Sequence, residues 1–584
     1  MIGRLRGLPP YLLVAVLTLA GAAGYRAAAP APRSPSVAAL PPIVFADSVA
    51  GPAPVPDGAR RGGTVTVLVN GSFEHLDPAR TYVAADQVIN LLLQRTLTAV
   101  RHRPGGAVEL VGDLATDTGR PSEGGRVWTF TLRPGLRFAD GSPINSKDIG
   151  YAIARSFSRD LPDGPTHLQR WLAGVPAFAE RYPGPYERPG RPAPGVSTPD
   201  ARTLVLRFPQ PRTDVPFAAA SGTTTPVPHS RDTGPGYDEY PVSTGPYRIA
   251  SHDPGRRMVL VRNPFWAAET DPVRSALPDR FDIRYGQSPA AATSRILAGT
   301  GDDAAAVSLE QVPSAMLLQV AEHADLARRV VVGPTPYVFY LKINTERVTD
   351  LAVRRALNCA FDRSGYIRTI GGAGVAEPAT TILPRIAVGF RSYDAYPCGP
   401  SGDAGKARVM LGGRSVPLRY GFRDTEQGRA VTAFLTASLG RAGFDLTTVP
   451  VPADRYYSTI NSRRNGLDLY PASWGADWPT GQAVIPPIAD GRGIREHGNS
   501  NSSYLDDPGV NAEIDRISGI VGGAEAGAAW ATLDERIMRD LAPLVPIYYD
   551  RNLTLAGRRV GGVRLHRILG LPTLTDAYVE PVRP

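Results

Sequence analysis

Between Arg126 and Phe157 the chain, RVWTFTLRPGLRFADGSPINSKDIGYAIARSF, has to reverse twice before a helix can start. Trp128, Phe130 and Leu132 alternate with threonines, the period of a strand with one buried face. Pro134-Gly135 turns the chain, Leu136 and Phe138 resume, and Asp140-Gly141 turns it again. Ser146 is the expected N-cap of a helix from Lys147, with Asp148 in the first turn, where the helix dipole favours an acid. Asp140 and Asp148 are thus turn and cap residues rather than chemistry.

Short strands and helices mix in this way along the whole chain. Residues 61–71, 198–208 and 337–344 read as strands, and 243–266 as two strands about a turn. Helical spacing marks 83–97, 348–367 (N-cap Thr349 or Asp350), 424–444, and a helix followed by a strand over 530–557. With 61 glycines and 57 prolines, turns are frequent, and no repeat of 20–50 residues is present. The fold class is therefore α/β, in the mixed α+β sense. At 584 residues, two or three lobes are expected rather than one core.

The N-terminus, MIGRLRGLPPYLLVAVLTLAGAAGYRAAAP, has Arg4 and Arg6, then an uncharged apolar run from Tyr11 to Ala23, and small residues after it. That is the layout of a secretory signal, with cleavage expected near Ala27–Ala29. The run would be roughly 20 Å long as a helix, short of the ~30 Å hydrocarbon core, although the uncharged flanks leave an uncleaved anchor open. Residues 1–29 are accordingly a signal peptide or N-terminal anchor, and Ala/Pro-rich residues 30–61 a tether. No cysteine follows LTLAG, so no lipoprotein attachment is expected. The protein is predicted to be extracytoplasmic, in the cell envelope, secreted or anchored. In an exported chain the two cysteines, Cys359 and Cys398, are expected to pair.

The net charge of +9 is dispersed without a dense basic block, which excludes an obvious nucleic-acid face. Eight histidines show no H-E-x-x-H or H-x-x-x-H spacing, and no nucleophile elbow or phosphate loop is present. No catalytic residue, metal ligand or cofactor is assigned, and an enzyme is not expected. A triad assembled only in space keeps a secreted hydrolase of peptides or esters as the alternative.

SWGADWPT (473–480) places the carboxylate of Asp477 between Trp474 and Trp478. Indoles build cores or pockets, and a carboxylate beside them needs a positive partner. A neighbouring arginine, a turn cap, or a ligand cation are the three possibilities.

Five stretches in order carry a resemblance: Trp128–Pro143 (W-x-F-x-L-R-x-G-x-x-F-x-D-G-x-P), Ser243–Tyr247 (S-x-G-P-Y), Leu260–Trp266 (L-x-R-N-P-x-W), Val353–Arg363 (V-R-R-A-L-x-x-A-x-D-R) and Trp474–Asp477. From about Gly62 to the C-terminus the chain resembles the extracytoplasmic solute-binding proteins of family 5, the oligopeptide, dipeptide and nickel carriers of ABC importers. The resemblance implies a periplasmic-binding-protein-like type II fold, two main lobes joined by a hinge, with an inserted subdomain. Lobe I would comprise 62–102, 223–333 and 547–584, the inserted lobe II 103–222, and lobe III 334–546. The hinge would cross near Pro334–Tyr337 and Val545–Tyr549.

The implied function is capture of peptides, or a similar amine-bearing solute, in an interlobe cleft for delivery to a membrane permease. The implied partners are that solute and the ABC permease, with the protein a monomer. A nickel or metallophore carrier is the alternative within the family. Asp477 would grip the ligand amine, Trp474 and Trp478 would wall the pocket, and Asn501, Tyr504 and Tyr549 would reach the cleft. Arg492 and Arg495 are expected to pair with Asp490 and Glu496 rather than with ligand.

Overall fold

The computed structural model describes residues 43–46, 48–103, 107–322, 325, 326 and 329–581. The expected signal segment, residues 1–29, lies outside the described residues. Two long strands organise the fold. Val330–Ile343 and Leu544–Leu555 run antiparallel, and a register irregularity interrupts their ladder between Pro334 and Val338. At one end Val331 and Leu555 enter apolar clusters with Val65, Val67 and Leu68. At the other, the same strands form the centre of a six-stranded sheet with Ala376–Pro378, Leu469–Gly475, Val416–Arg423 and Phe444–Val451.

A five-stranded sheet is ordered Ala306–Ser308, Thr64–Leu68, Arg280–Arg284, Arg257–Arg262 and Tyr247–Asp253. A four-stranded antiparallel sheet joins Arg120–Ser122, Val127–Thr131, Thr203–Arg207 and Val196–Asp200. A third sheet pairs Thr98–His102 with Val108–Gly112 and adds Ile43–Ala46 in parallel. This hairpin straddles the boundary placed at His102 and Arg103. Ile43–Ala46, assigned above to the tether, is instead an edge strand. Ile43 is buried and Phe45 packs edge-on against Phe217 at 5.4 Å, because four apolar residues find a sheet edge despite their Ala/Pro surroundings.

Local chemistry sets the element ends. The N-cap of helix Ser146–Arg155 is Asn145 rather than Ser146: its side chain accepts from Lys147 N at 2.9 Å, and Asp148 accepts from Asn145 N at 2.8 Å. Ser146 instead donates to the Asp200 carbonyl. Asp350 caps Leu351–Ala360 and Thr425 caps Glu426–Gly440. Cys359 and Cys398 form a disulfide, Cα to Cα 5.2 Å.

The motif residues brace the crossing strands and turns. Asn263 donates to Gly245 O at 2.9 Å, locking S-x-G-P-Y to L-x-R-N-P-x-W. Arg354 donates to Val348 O, Thr349 O and Leu541 O, and Arg363 to Ala379 O and Pro546 O, around the start of the strand Leu544–Leu555. Each set of carbonyls clusters within reach of one side chain, so a guanidinium with several donors is suited to the position.

Lys342 stands in the centre of the six-stranded sheet, cross-strand from Tyr470 and Leu544, at 2% exposure. Its Nζ has no hydrogen-bond partner and lies 5.2 Å from the Tyr340 ring centroid. Burial pulls its pKa down to about 7. Between pH 7 and about 10.4 the unfolded chain therefore binds a proton that the folded chain does not, and stability rises with pH across that window. Lys342→Met is expected to stabilise the protein by ~1–3 kcal/mol at pH 7 and to flatten this rise, read from urea midpoints at pH 7, 8, 9 and 10. Reduction of the disulfide is expected to lower stability by ~2–4 kcal/mol in the same assay.

Candidate functional site

Strand Leu469–Gly475 delivers Asp477. It pairs with the crossing strand through Val338 opposite Trp474 and Tyr337 opposite Gly475. A Cβ on Gly475 would sit 2.4 Å from the Tyr337 ring, so only glycine permits this approach. Ala476 N closes the ladder on Pro336 O, and the chain then turns Asp477 into a cavity of about 610 Å³.

The cavity draws its walls from stretches distant in sequence, among them Phe217 to Thr225 and the crossing strand at Pro336 and Tyr337. Pro78 to Val100 supplies Tyr82, the segment at 165–168 supplies His167, Trp474 to Trp478 supplies the carboxylate, and His566 to Leu569 closes the far side. Tyr82 donates its hydroxyl to Asp477 Oδ1 at 2.6 Å, and His167 Nε2 lies 3.0 Å from Oδ2. Among the described residues, no lysine or arginine lies within ion-pair distance of Asp477, and His167 is the one basic side chain that does. Asp477 is 21% exposed, so it faces a partly dry space rather than open solvent. Burial, then the Asp477 charge, pushes the Tyr82 phenol well above its ordinary range, so it remains a donor.

Each partner is positioned from below. Gln87 and Asn90, on helix Ala84–Leu93, donate to Tyr82 O and Thr81 Oγ1. Asp77, five residues before Tyr82, makes a fully buried bidentate pair with Arg155 at 2.8 and 2.7 Å. His167 starts the helix His167–Ala173, and its ring meets Trp478 edge-on at 4.7 Å. Trp171, one turn on, meets the same indole at 5.6 Å.

Trp478 has a second task. Its Nε1 donates to Asp214 Oδ2 at 2.6 Å, and Thr480 donates to the same oxygen. Asp214 is buried, which pushes its carboxyl upward, while the two donors pull it back. Deeper in, burial pulls His102 down to about 4 and His566 well below its ordinary value. His566 Nδ1 accepts from Leu569 N, and its ring, 4.9 Å from that of His102, lines the cavity.

The structure thus gathers Asp477, Trp474 and Trp478 around one cavity and leaves three other expected residues out of it. Asn501 is 3% exposed and is taken up by Leu505 O, Leu505 N and Asp490 O. Tyr504 is 1% exposed and donates to Ile460 O. Tyr549 points to the other side of its strand, where its hydroxyl meets Thr381 Oγ1 at 2.8 Å and Thr380 N. Their polar atoms are satisfied internally, which corrects the expectation that they reach the cleft. Arg492 pairs with Asp490 and Asp515, whereas Glu496 takes Arg464 and not Arg495. Tyr82, His167 and Asp214 were not foreseen, because each meets its partner across hundreds of residues.

Residues 109–495 match the family described as bacterial extracellular solute-binding proteins, family 5. The chain belongs to that family. It is 24% identical over 462 residues to the periplasmic murein peptide-binding protein MppA of Escherichia coli K12, covering 76% of this chain and 80% of that protein. It is 22% identical over 577 residues to the periplasmic oligopeptide-binding protein OppA of the same organism, covering 91% and 95%. Among solved structures, the clavulanic acid biosynthesis oligopeptide binding protein 2 superposes with a TM-score of 0.82 at 32% identity, over 91% of this chain and 99% of that one. Unliganded, open MppA superposes with a TM-score of 0.72 at 21% identity. The fold is therefore the type II periplasmic-binding-protein fold, and the chain is a solute-binding protein.

Trp478→Phe removes one of the two donors to a buried carboxylate. It is expected to lower stability by ~1–3 kcal/mol, and a thermal melt that superposes on the parent's would show that Asp214 does not depend on the indole.

Proposed function

We propose that the protein captures peptides by their amino terminus at Asp477 and presents them to an ABC permease. One observation carries the reading: a half-buried carboxylate at the wall of a 610 Å³ cavity is held by a phenol and an imidazole and not by a resident arginine. A ligand ammonium can take either place with a charge-assisted bond, and its charge offsets the desolvation of Asp477. Relatives named for murein peptide and oligopeptide binding support peptide as the solute class.

The lobes are those set out from the resemblance, with the first boundary moved off the 98–112 hairpin. Closure would bend the crossing strands at the irregularity between Pro334 and Val338. Closure also brings Tyr82, His167 and Asp214 from one side against Asp477, Trp478 and Thr480 from the other. The permease would read that closed form, and the ligand would leave chemically unchanged. Supporting a binder over a hydrolase, the cavity serine Ser221 donates to Ala218 O, and no serine or cysteine is bonded to His167 among the described residues. No cluster of three metal-ligating residues occurs among them either, which disfavours direct nickel carriage.

An extracytoplasmic location fits the relatives named as periplasmic, and no described helix is long and apolar enough to cross a membrane. Retention through the N-terminal segment and a monomeric state complete the reading.

Calorimetric titration with tripeptides tests it. Asp477→Asn is expected to weaken binding by ~2–5 kcal/mol with little change in melting temperature, and N-acetylation of the peptide to weaken it comparably. Equal affinity for acetylated and free peptides would remove the amino terminus from the contact.

A further inference from the structure

A second cavity, of about 530 Å³, lies between the 311–314 segment and the six-stranded sheet. Its wall is aromatic. Phe339 and Tyr548 stack at 4.4 Å with planes 11° apart, Tyr366 lies 6.1 Å from Tyr548, and Tyr456 and Tyr457 form the opposite side. Asp550 opens into the same cavity because it is two residues from Tyr548 on one strand, and side chains two apart share a face. Tyr549 between them faces away, as its bonds to Thr380 and Thr381 show.

Asp550 has no cationic partner within ion-pair distance among the described residues. Its Oδ2 accepts from the Thr335 hydroxyl at 2.8 Å. Burial pushes its carboxyl up to about 6. The one guanidinium on the cavity wall, Arg423, is already placed elsewhere, 5.3 and 5.0 Å from the ring centroids of Tyr456 and Tyr457. The other end of the cavity therefore offers flat π faces and an uncompensated carboxylate, the pairing that recognises an organic cation. Tyr337 lines the first cavity, and its N–H donates to the same Thr335 hydroxyl that donates to Asp550, so one residue links the two carboxylate ends.

We infer that the Phe339–Tyr548–Asp550 end of this cavity is a side-chain subsite for a basic residue, so that the protein selects peptides carrying lysine or arginine close to their amino terminus. The inference rests on the reading of Asp477 as the amino-terminal anchor. The ligand backbone passes Tyr337, and its cationic side chain lies on the stacked rings with its head at Asp550. Arg423, seated over Tyr456 and Tyr457 of the same cavity, repels a second cation.

The test uses the full chain and two peptide series, Ala-X-Ala and Ala-Ala-X, with X as lysine, arginine, norleucine or glutamate, titrated calorimetrically. In at least one series the lysine or arginine peptide is expected to bind at least tenfold tighter than norleucine, an advantage that shrinks as salt rises. Asp550→Asn is expected to abolish the advantage while leaving norleucine affinity within twofold. Should that variant not fold, the salt dependence with the parent protein decides alone. Equal binding of lysine, arginine and norleucine, a preference for glutamate, or an advantage that survives Asp550→Asn would each overturn the basic subsite while leaving peptide capture standing. Binding of no peptide in either series would take down both readings.

Discussion

The antiparallel pairing of Val330–Ile343 with Leu544–Leu555 is the constraint from which the rest follows. Both strands are interior to the six-stranded sheet, so their backbone groups must be paired without help from water. Where the ladder shifts, other groups complete it. Arg363 reaches Pro546 O, Thr335 reaches Asp550, and Ala476 reaches Pro336 O. The V-R-R-A-L-x-x-A-x-D-R stretch is thus explained by carbonyls that need donors, not by the solute.

Around Asp477 no arginine or lysine completes an ion pair among the described residues, which is the condition the proposed capture of an ammonium requires. A phenol and an imidazole hydrogen-bond to it while leaving it able to accept an ammonium. The contrast with Asp77 is informative, since that carboxylate is bidentate to Arg155 at zero exposure and serves only to hold a loop. Two aspartates in one molecule have opposite assignments, set by what each is given as a partner.

Much of the fold was legible because it rests on local pattern. Strand alternation at Trp128, Phe130 and Leu132, the cap at Asp350 and the helix following Thr425 all occur as their spacing implies. The one-residue shift from Ser146 to Asn145 reflects two good capping residues in succession, decided by the Ser146 bond to Asp200 O, a contact 54 residues away. The tryptophan-flanked carboxylate was legible for the same local reason. Its partners were not: Tyr82, His167 and the Trp478–Asp214 pair are separated by 395, 310 and 264 residues, and nothing in their own neighbourhoods marks them. Asn501 and Tyr504 misled because a polar run looks alike whether its side chains face a ligand or tie down their own turn.

The cluster that holds Leu68 also takes in Leu555, which lies far along the chain on the strand Leu544–Leu555. Without that strand the cluster lacks part of its packing and the central ladder lacks one rail. An early segment and a late one therefore set together, and neither is finished alone.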